Sequence, residues 1–326
     1  MEDLIAQIRQ TARELLDQER VEIVLGFETG PVALRSSPCF VRTATEPDRL
    51  TWGPFCGLNL AVFLNNNPRR VAVIAKGCDS RAIVNLVKER RIVRENLVIV
   101  GVPCQGMIAR NKVERLVGGA EVEQVQIGRD KIVAVAEGNT FDAPIAEMLR
   151  DSCLECEVPT PQYYDILLDR ATARQPYHGA TSSQPSKLDC SERWKRFETE
   201  AAKCIRCYAC RNVCPLCYCR ECCADQSNPR WIGTSCTASD NQMYLLMRAL
   251  HLAGRCVDCG ACVDACPVGV DVRYLFKRME REVRDRFGYV PGADPSQKPP
   301  LAAYALSDPD DFITSPCESV NVRDRP

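Results

Sequence analysis

The sequence predicts an α/β N-terminal half built on a parallel sheet, followed by a mostly α-helical half organised round two metal clusters. Three observations predict it. Val71-Ala72-Val73-Ile74-Ala75 is an apolar run followed in order by a turn, a helical stretch and a second run, Leu97-Val98-Ile99-Val100. Strand, helix and strand in that order form a βαβ crossover, which pairs the two strands in parallel. Cysteine is far in excess, with 21 in 326 residues against two histidines. Eight of those cysteines fall into two copies of one four-cysteine run.

Taken from the start, residues 1–20 carry apolar positions at three- and four-residue spacing and predict a helix. Val21-Glu22-Ile23-Val24-Leu25 predicts a strand ending at Gly26. Lys76-Gly77-Cys78-Asp79-Ser80 is the turn of the crossover, with Asp79 or Ser80 placed to cap the following helix. Arg81 to Arg91 is that helix, with Ile83, Val84, Leu86 and Val87 turned inward. Residues 171–189 are rich in Ser, Thr, Gln and Pro, lack apolar periodicity and predict a linker, so a first domain spans 1–170. A charged helix starts near Cys190 and opens a second domain, 190–289. Within it, Met243, Leu246, Met247 and Leu250 mark one apolar helix face, read as core. Arg273 to Arg286 predicts a basic helix with a solvated or partner-facing surface. The last 37 residues, 290–326, hold seven prolines and six acidic residues against three basic ones. Such an extended tail cannot bury a core of its own and is expected to lie along a partner or to move freely.

Composition excludes several classes. Hydrophobic residues at 45% and charged residues at 26% are ordinary for a globular protein. A formal net charge of −1 argues against nucleic-acid binding. The start, Met1-Glu2-Asp3, has neither the basic nor the apolar region of a secretory signal. No run of about 18 apolar residues predicts a membrane span. A cytoplasmic, reducing setting is the expectation, and there dense cysteine at short fixed spacing points to metal rather than disulfides. With only His178 and His251 available, ligation by thiolates alone remains, which suits iron–sulfur clusters and structural zinc.

The two runs are Cys204-Ile-Arg-Cys207-Tyr-Ala-Cys210-Arg-Asn-Val-Cys214-Pro215 and Cys256-Val-Asp-Cys259-Gly-Ala-Cys262-Val-Asp-Ala-Cys266-Pro267. Each matches the bacterial C-x2-C-x2-C-x3-C-P pattern, in which the fourth cysteine crosses to the other cluster. Cys204, Cys207, Cys210 and Cys266 are therefore assigned to one 4Fe-4S cluster, and Cys256, Cys259, Cys262 and Cys214 to the other. Two complete copies with prolines in register make zinc a minor reading. The segment 200–270 resembles the dicluster ferredoxins, except that 52 residues part Cys204 from Cys256. The insertion adds Cys217, Cys219, Cys222, Cys223 and Cys236, read either as a further ligand set or as thiols that shield the clusters.

In the first half, Cys78 and Cys104 stand at the carboxyl ends of the two predicted parallel strands, where ligand sites of open α/β sheets lie. With Cys153-Leu-Glu-Cys156 they supply four thiols for a third cluster, and Cys56 is a spare. The competing reading is buried free cysteine packing as a small hydrophobe. Lys76-Gly77-Cys78-Asp79-Ser80-Arg81, the helix and strand after it, the Gly101–Cys104 turn and the Cys153–Cys156 pair resemble the beta subunits of the deazaflavin-coenzyme (F420) hydrogenases and dehydrogenases, over about residues 50–170. The resemblance implies FAD and a 4Fe-4S cluster, with Cys78, Cys104, Cys153 and Cys156 near the cluster and Lys76 near a flavin or its substrate. No G-x-G-x-x-G opens a helix after a strand, so FAD rests on the resemblance alone.

Together these readings predict an iron–sulfur electron-transfer subunit of a multi-subunit oxidoreductase, of the hydrogenase, formate dehydrogenase or heterodisulfide-reductase kind. Its partners would be other redox subunits. Two alternatives stand beside it: a flavin-free docking and relay subunit, and a cysteine-dependent disulfide or thiol reductase using the Cys217–Cys223 group.

Overall fold

The structure is a computed structural model that describes residues 2–128, 130–169 and 188–304. In chain order its first half contains α1 (Glu2–Asp17), β1 (Ile23–Thr29), β2 (Ser36–Val41), β3 (Val71–Ala75), α2 (Gly77–Lys88), β4 (Leu97–Gly101), α3 (Arg110–Leu116), β5 (Val122–Ile127), β6 (Lys131–Ala136), β7 (Asn139–Pro144), α4 (Ile145–Met148), α5 (Asp151–Leu154) and β8 (Ile166–Leu167). The second half contains α6 (Cys190–Ala202), α7 (Ala209–Asn212), α8 (Ala238–His251), α9 (Ala261–Asp264) and α10 (Arg273–Phe287).

The main sheet has the order β2-β1-β3-β4-β8. β1, β3, β4 and β8 run parallel, as the crossover requires, while β2 pairs antiparallel with β1. The sheet is thus mixed, not wholly parallel. The first strand also runs through Gly26 to Thr29, because β2 supplies partners as far as Thr29↔Ser36. β3 is buried at all five positions, which is why its sequence is a continuous aliphatic run rather than an alternation. α1 lays Leu4, Ile8, Ala12 and Leu15 on the core, with Glu2 and Asp3 in its first turn, favourable against the helix dipole. Residues 122–144 fold into an antiparallel meander, β5-β6-β7, that the sequence reading did not anticipate. It closes a small second core with Ile108, Val113, Ile132 and Leu149.

The α2 cap differs in detail from the expectation. Lys76 is the N-cap residue, and the Asp79 carboxylate reaches back to accept from its backbone N–H. Ser80 instead donates to the Tyr163 carbonyl at 2.6 Å. Most of the predicted linker lies outside the described residues, but Asp189 caps α6 in a capping box with Glu192. The main core is continuous across the halves, running from Leu4 to Phe276. Side chains stitch the halves together. Arg255 clasps Glu89 at 2.5 and 2.8 Å, Asn85 donates to the Arg255 carbonyl at 2.8 Å, and Arg284 pairs with Glu157. The start of the tail belongs to this seam: Tyr289 is buried and Arg81 donates to the Pro291 carbonyl. Residues 305–326 lie outside the described part.

Two helices turn a different face inward than their sequences suggested. α8 buries Asn241, Tyr244, Leu245, Arg248 and Ala249, and leaves Met243 and Leu250 exposed. α10 is basic, yet it buries Arg273, Tyr274, Phe276, Glu280 and Val283. Its buried charges are paired: Arg273 reaches Glu155 and Asp258, both at 2.6 Å. Among the described residues no helix is long and apolar enough to cross a membrane.

Candidate cluster sites

The two four-cysteine runs fold alike. Arg206 and Tyr208 in the first, and Asp258 and Gly260 in the second, all take left-handed backbone conformations (φ 55°, 59°, 54° and 73°). These alternate reversals coil each loop and lead into the short helices α7 and α9, which pack on each other. Gly260 is needed where Tyr208 is tolerated, because a Cβ there would stand 2.3 Å from the Ser152 hydroxyl. Backbone N–H groups within the loops donate to the sulfurs: Arg206 to Cys204 and Asp258 to Cys256, both at 3.4 Å, and Val270 to Cys266 at 3.3 Å. Such donors stabilise charge on a cluster's thiolates.

Cysteines of the two runs come within electrostatic reach of one another. Cys204 is within electrostatic reach of Cys210 and of Cys266. Cys214 is within reach of Cys259, and Cys262 of Cys256, Cys259 and Cys210. Cys207, three residues before Cys210, is exposed. Burial pushes the Cys256 thiol up to about 12 and carries Cys262 well above the ordinary thiol range; Cys214 is raised as far by its hydrogen bond with Cys217, with burial adding to it. Thiols held this way keep their protons until a metal displaces them.

A third group forms at the sheet. Cys78, Cys104, Cys153 and Cys156 line one cavity, together with Lys76 and with Cys259 of the second run. Gly106 donates to the Cys104 sulfur at 3.4 Å and Met107 to Cys153 at 3.3 Å. Burial pushes Cys104 up to about 12, reinforced by Cys153. Gly77 lets α2 start against the neighbouring loop, since a Cβ would meet the Val158 carbonyl oxygen at 1.9 Å. Cys56 is buried elsewhere, donating to Ser36 at 3.5 Å, and is not among the cavity's lining residues.

Lys76 has a structural role. Its side chain is 1% exposed and its ammonium pairs with Asp79 at 2.8 Å and donates to the Leu58 carbonyl at 3.0 Å. Phe27 and Trp52 cover it as cation–π partners. Its charge is felt at Cys78 and Cys104, so it offsets thiolate charge there.

The cations around the other sulfurs escaped the sequence reading. Arg150, buried in the first half, donates to the Gly57 carbonyl and to Asp264 of α9, both at 2.8 Å. Arg206 is 6% exposed and hydrogen-bonded to the Asp240 and Gly233 carbonyls and the Tyr208 hydroxyl. Arg248 is also 6% exposed. It donates to the Cys210 sulfur at 3.0 Å, the Cys210 carbonyl at 3.1 Å and the Cys217 sulfur at 3.8 Å. Among the described residues no carboxylate pairs with it. A buried guanidinium without an anion is costly, so its natural counter-charge is thiolate sulfur. The one available signal was the spacing of Asn241, Tyr244 and Arg248 on a single helix face.

Among the described residues no three His, Cys, Asp or Glu side chains converge closely enough for a single metal ion. A zinc ion wants its sulfurs about 2.3 Å away around one point. A four-iron cube carries its cysteines on separate corners, and so asks for thiols that ring a cavity. The donor sets, the N–H···S bonds and the buried cations fit the cube.

Residues 68–216 match the family model for the C-terminal part of the coenzyme F420 hydrogenase/dehydrogenase beta subunits, and residues 252–270 match a 4Fe-4S binding domain. The chain is 26% identical over 352 aligned positions to the F420-dependent formate dehydrogenase subunit beta of Methanocaldococcus jannaschii, covering 87% of this chain and 91% of that protein. It is 25% identical to the F420-dependent formate dehydrogenase 1 subunit beta of Methanococcus maripaludis, over 88% of this chain and 90% of that one. Among solved structures, the xenon-derivatised F420-reducing NiFe hydrogenase complex of Methanosarcina barkeri matches with a TM-score of 0.37 and 16% identity, over 48% of this chain and 63% of that one.

Proposed function

We propose that this chain, which joins a beta-subunit domain of the coenzyme F420 hydrogenase/dehydrogenase family to a 4Fe-4S binding domain, is the electron-relaying subunit of an F420-dependent formate dehydrogenase. Two relatives named as beta subunits of that enzyme align with this chain over 91% and 90% of their own length. One observation carries the relay: Cys259 lines the same cavity as Cys78, Cys104, Cys153 and Cys156. The ligands of a cluster at the sheet and of a ferredoxin-type cluster thus share a wall, which is the continuity that electron transfer needs.

In this reading Cys204, Cys207, Cys210 and Cys266 hold one 4Fe-4S cluster. Cys256, Cys259, Cys262 and Cys214 hold the second, and Cys78, Cys104, Cys153 and Cys156 the third. Bound clusters supply one-electron carriers, and FAD supplies the exchange between hydride and single electrons. The chain's own contribution is to bury the thiols, aim N–H groups at sulfur and set Lys76, Arg206 and Arg248 against the negative charge. The Lys76 ammonium is committed to Asp79 and closed off from solvent, so it does not fit a flavin contact, and FAD enters the proposal through the family alone.

Cys104→Ser tests the reading in full-length protein purified without oxygen. It should lose about four irons with their sulfides, retain the EPR signals of the ferredoxin-type pair, and block passage of electrons between formate and the deazaflavin coenzyme when assembled with its catalytic partner. Full iron content and an unchanged rate would refute it.

A further inference from the structure

The insertion between the two runs is left unexplained by the relay. Its cysteines are not scattered. Cys217, Cys219, Cys222 and Cys223 all line one cavity of about 480 Å³. Cys236, the other cysteine of the insertion, is exposed and is not part of the lining. Within the group, Cys223 is in electrostatic contact with both Cys222 and Cys219, and Cys217 is hydrogen-bonded to Cys214. All four thiols are free, with no disulfide among them.

The rest of the lining is charged in one sense where it meets the sulfurs. Arg211 is hydrogen-bonded to Cys222 as well as to Asp225. Arg248 donates toward Cys217 at 3.8 Å, and its Nε is buried without any hydrogen-bond partner. Arg255 is also in the wall. Arg248 bridges the two groups, donating to the Cys210 sulfur at 3.0 Å and toward Cys217 at 3.8 Å. An all-cysteine cluster carries net negative charge, so one on the Cys217 side would give this guanidinium, and Arg211 beside Cys222, an anionic neighbour of its own. The cavity is several times the space a single ion fills, and no three of these side chains converge on one point.

We propose that Cys217, Cys219, Cys222 and Cys223 ligate a further 4Fe-4S cluster in this cavity, with Arg248 between it and the cluster held by Cys210. Its ligand Cys219 is exposed. It is therefore placed to exchange electrons with a redox partner docking at this face.

Full-length protein purified without oxygen decides it. Cys222→Ser and Cys219→Ser should each remove about four irons and four sulfides, and Cys236→Ser should remove none. The loss should add to that of Cys104→Ser, so this site stands or falls apart from the one at the sheet. Wild-type protein gives a second measurement that depends on no variant: under native alkylation Cys219 should stay protected until iron is chelated, whereas exposed Cys190 reacts at once. Unchanged iron in both variants, one zinc lost in place of four irons, or immediate labelling of Cys219 would each overturn the proposal.

Discussion

Arg248→Met should lower the reduction potential of the cluster that Cys210 serves without displacing its iron. The guanidinium is 6% exposed and touches the Cys210 sulfur at 3.0 Å. An electron added to the cluster would be shared over the cube, farther from the guanidinium than the sulfur is, and a separation of roughly 6 Å is taken for the Coulomb relation. At an effective dielectric of about 20 the Coulomb relation gives about 3 kcal/mol for that attraction, equivalent to roughly 120 mV for a one-electron couple. Removing the cation disfavours the reduced cluster, so the shift is downward. Methionine keeps an unbranched apolar stem in the same space. Arg248→Lys keeps the charge but loses the fork, and should recover much of the potential. The assay is an EPR-monitored potentiometric titration of protein purified without oxygen, with iron measured on the same sample. An unchanged midpoint at full iron content would show that Arg248 is not the sulfur's counter-charge.

The exchanged ligands are tested in pairs: Cys204→Ser and Cys266→Ser should abolish the same EPR signal, and Cys214→Ser and Cys256→Ser the other. If Cys204→Ser and Cys214→Ser remove one signal together, the crossing is refuted. Arg273→Met leaves the buried carboxylates of Glu155 and Asp258 with Lys277 as their nearby cation, at 3.9 and 3.1 Å. Breaking a buried pair on one side costs about 3 kcal/mol, which should lower the Tm by several degrees, and an unchanged Tm would refute the network's role. The same network sets an acid limit. Burial raises the Asp258 carboxyl, but hydrogen bonds and charge from Arg273, with Lys277, more than reverse this and hold it below its ordinary value. Its contribution is therefore complete above a pH of about 4 and is lost as pH falls through the lower folded value. Asp258→Asn should flatten that limb of the stability profile.

The crossover was legible because β3 and β4 are buried on both faces and their sequences show it as aliphatic runs. β2 was not, because Ser36-Ser37-Pro38 reads as turn, although Pro38 is tolerated on an edge strand. β7 hid for a similar reason, with Asn139, Asp142 and Pro144 in a six-residue strand. The cysteine runs were legible because their chemistry fixes spacing along the chain, and residues 252–270 match a 4Fe-4S binding domain. The helices failed where burial served sulfur rather than apolar packing. Periodicity assigns the apolar residues of α8 to the core, and Met243 and Leu250 were placed there. The structure turns Tyr244 and Arg248 inward instead, because the neighbours on that side are Cys210 and Cys217. α10 repeats the lesson, with Arg273 and Lys277 set against Glu155 and Asp258 beside the second run. A hydrophobicity pattern presumes a neutral core, and a core built around iron–sulfur anions is not neutral. In such a chain, a cationic residue in line with a helix's inward face, within reach of a cysteine run, points to a cluster's counter-charge before it points to solvent.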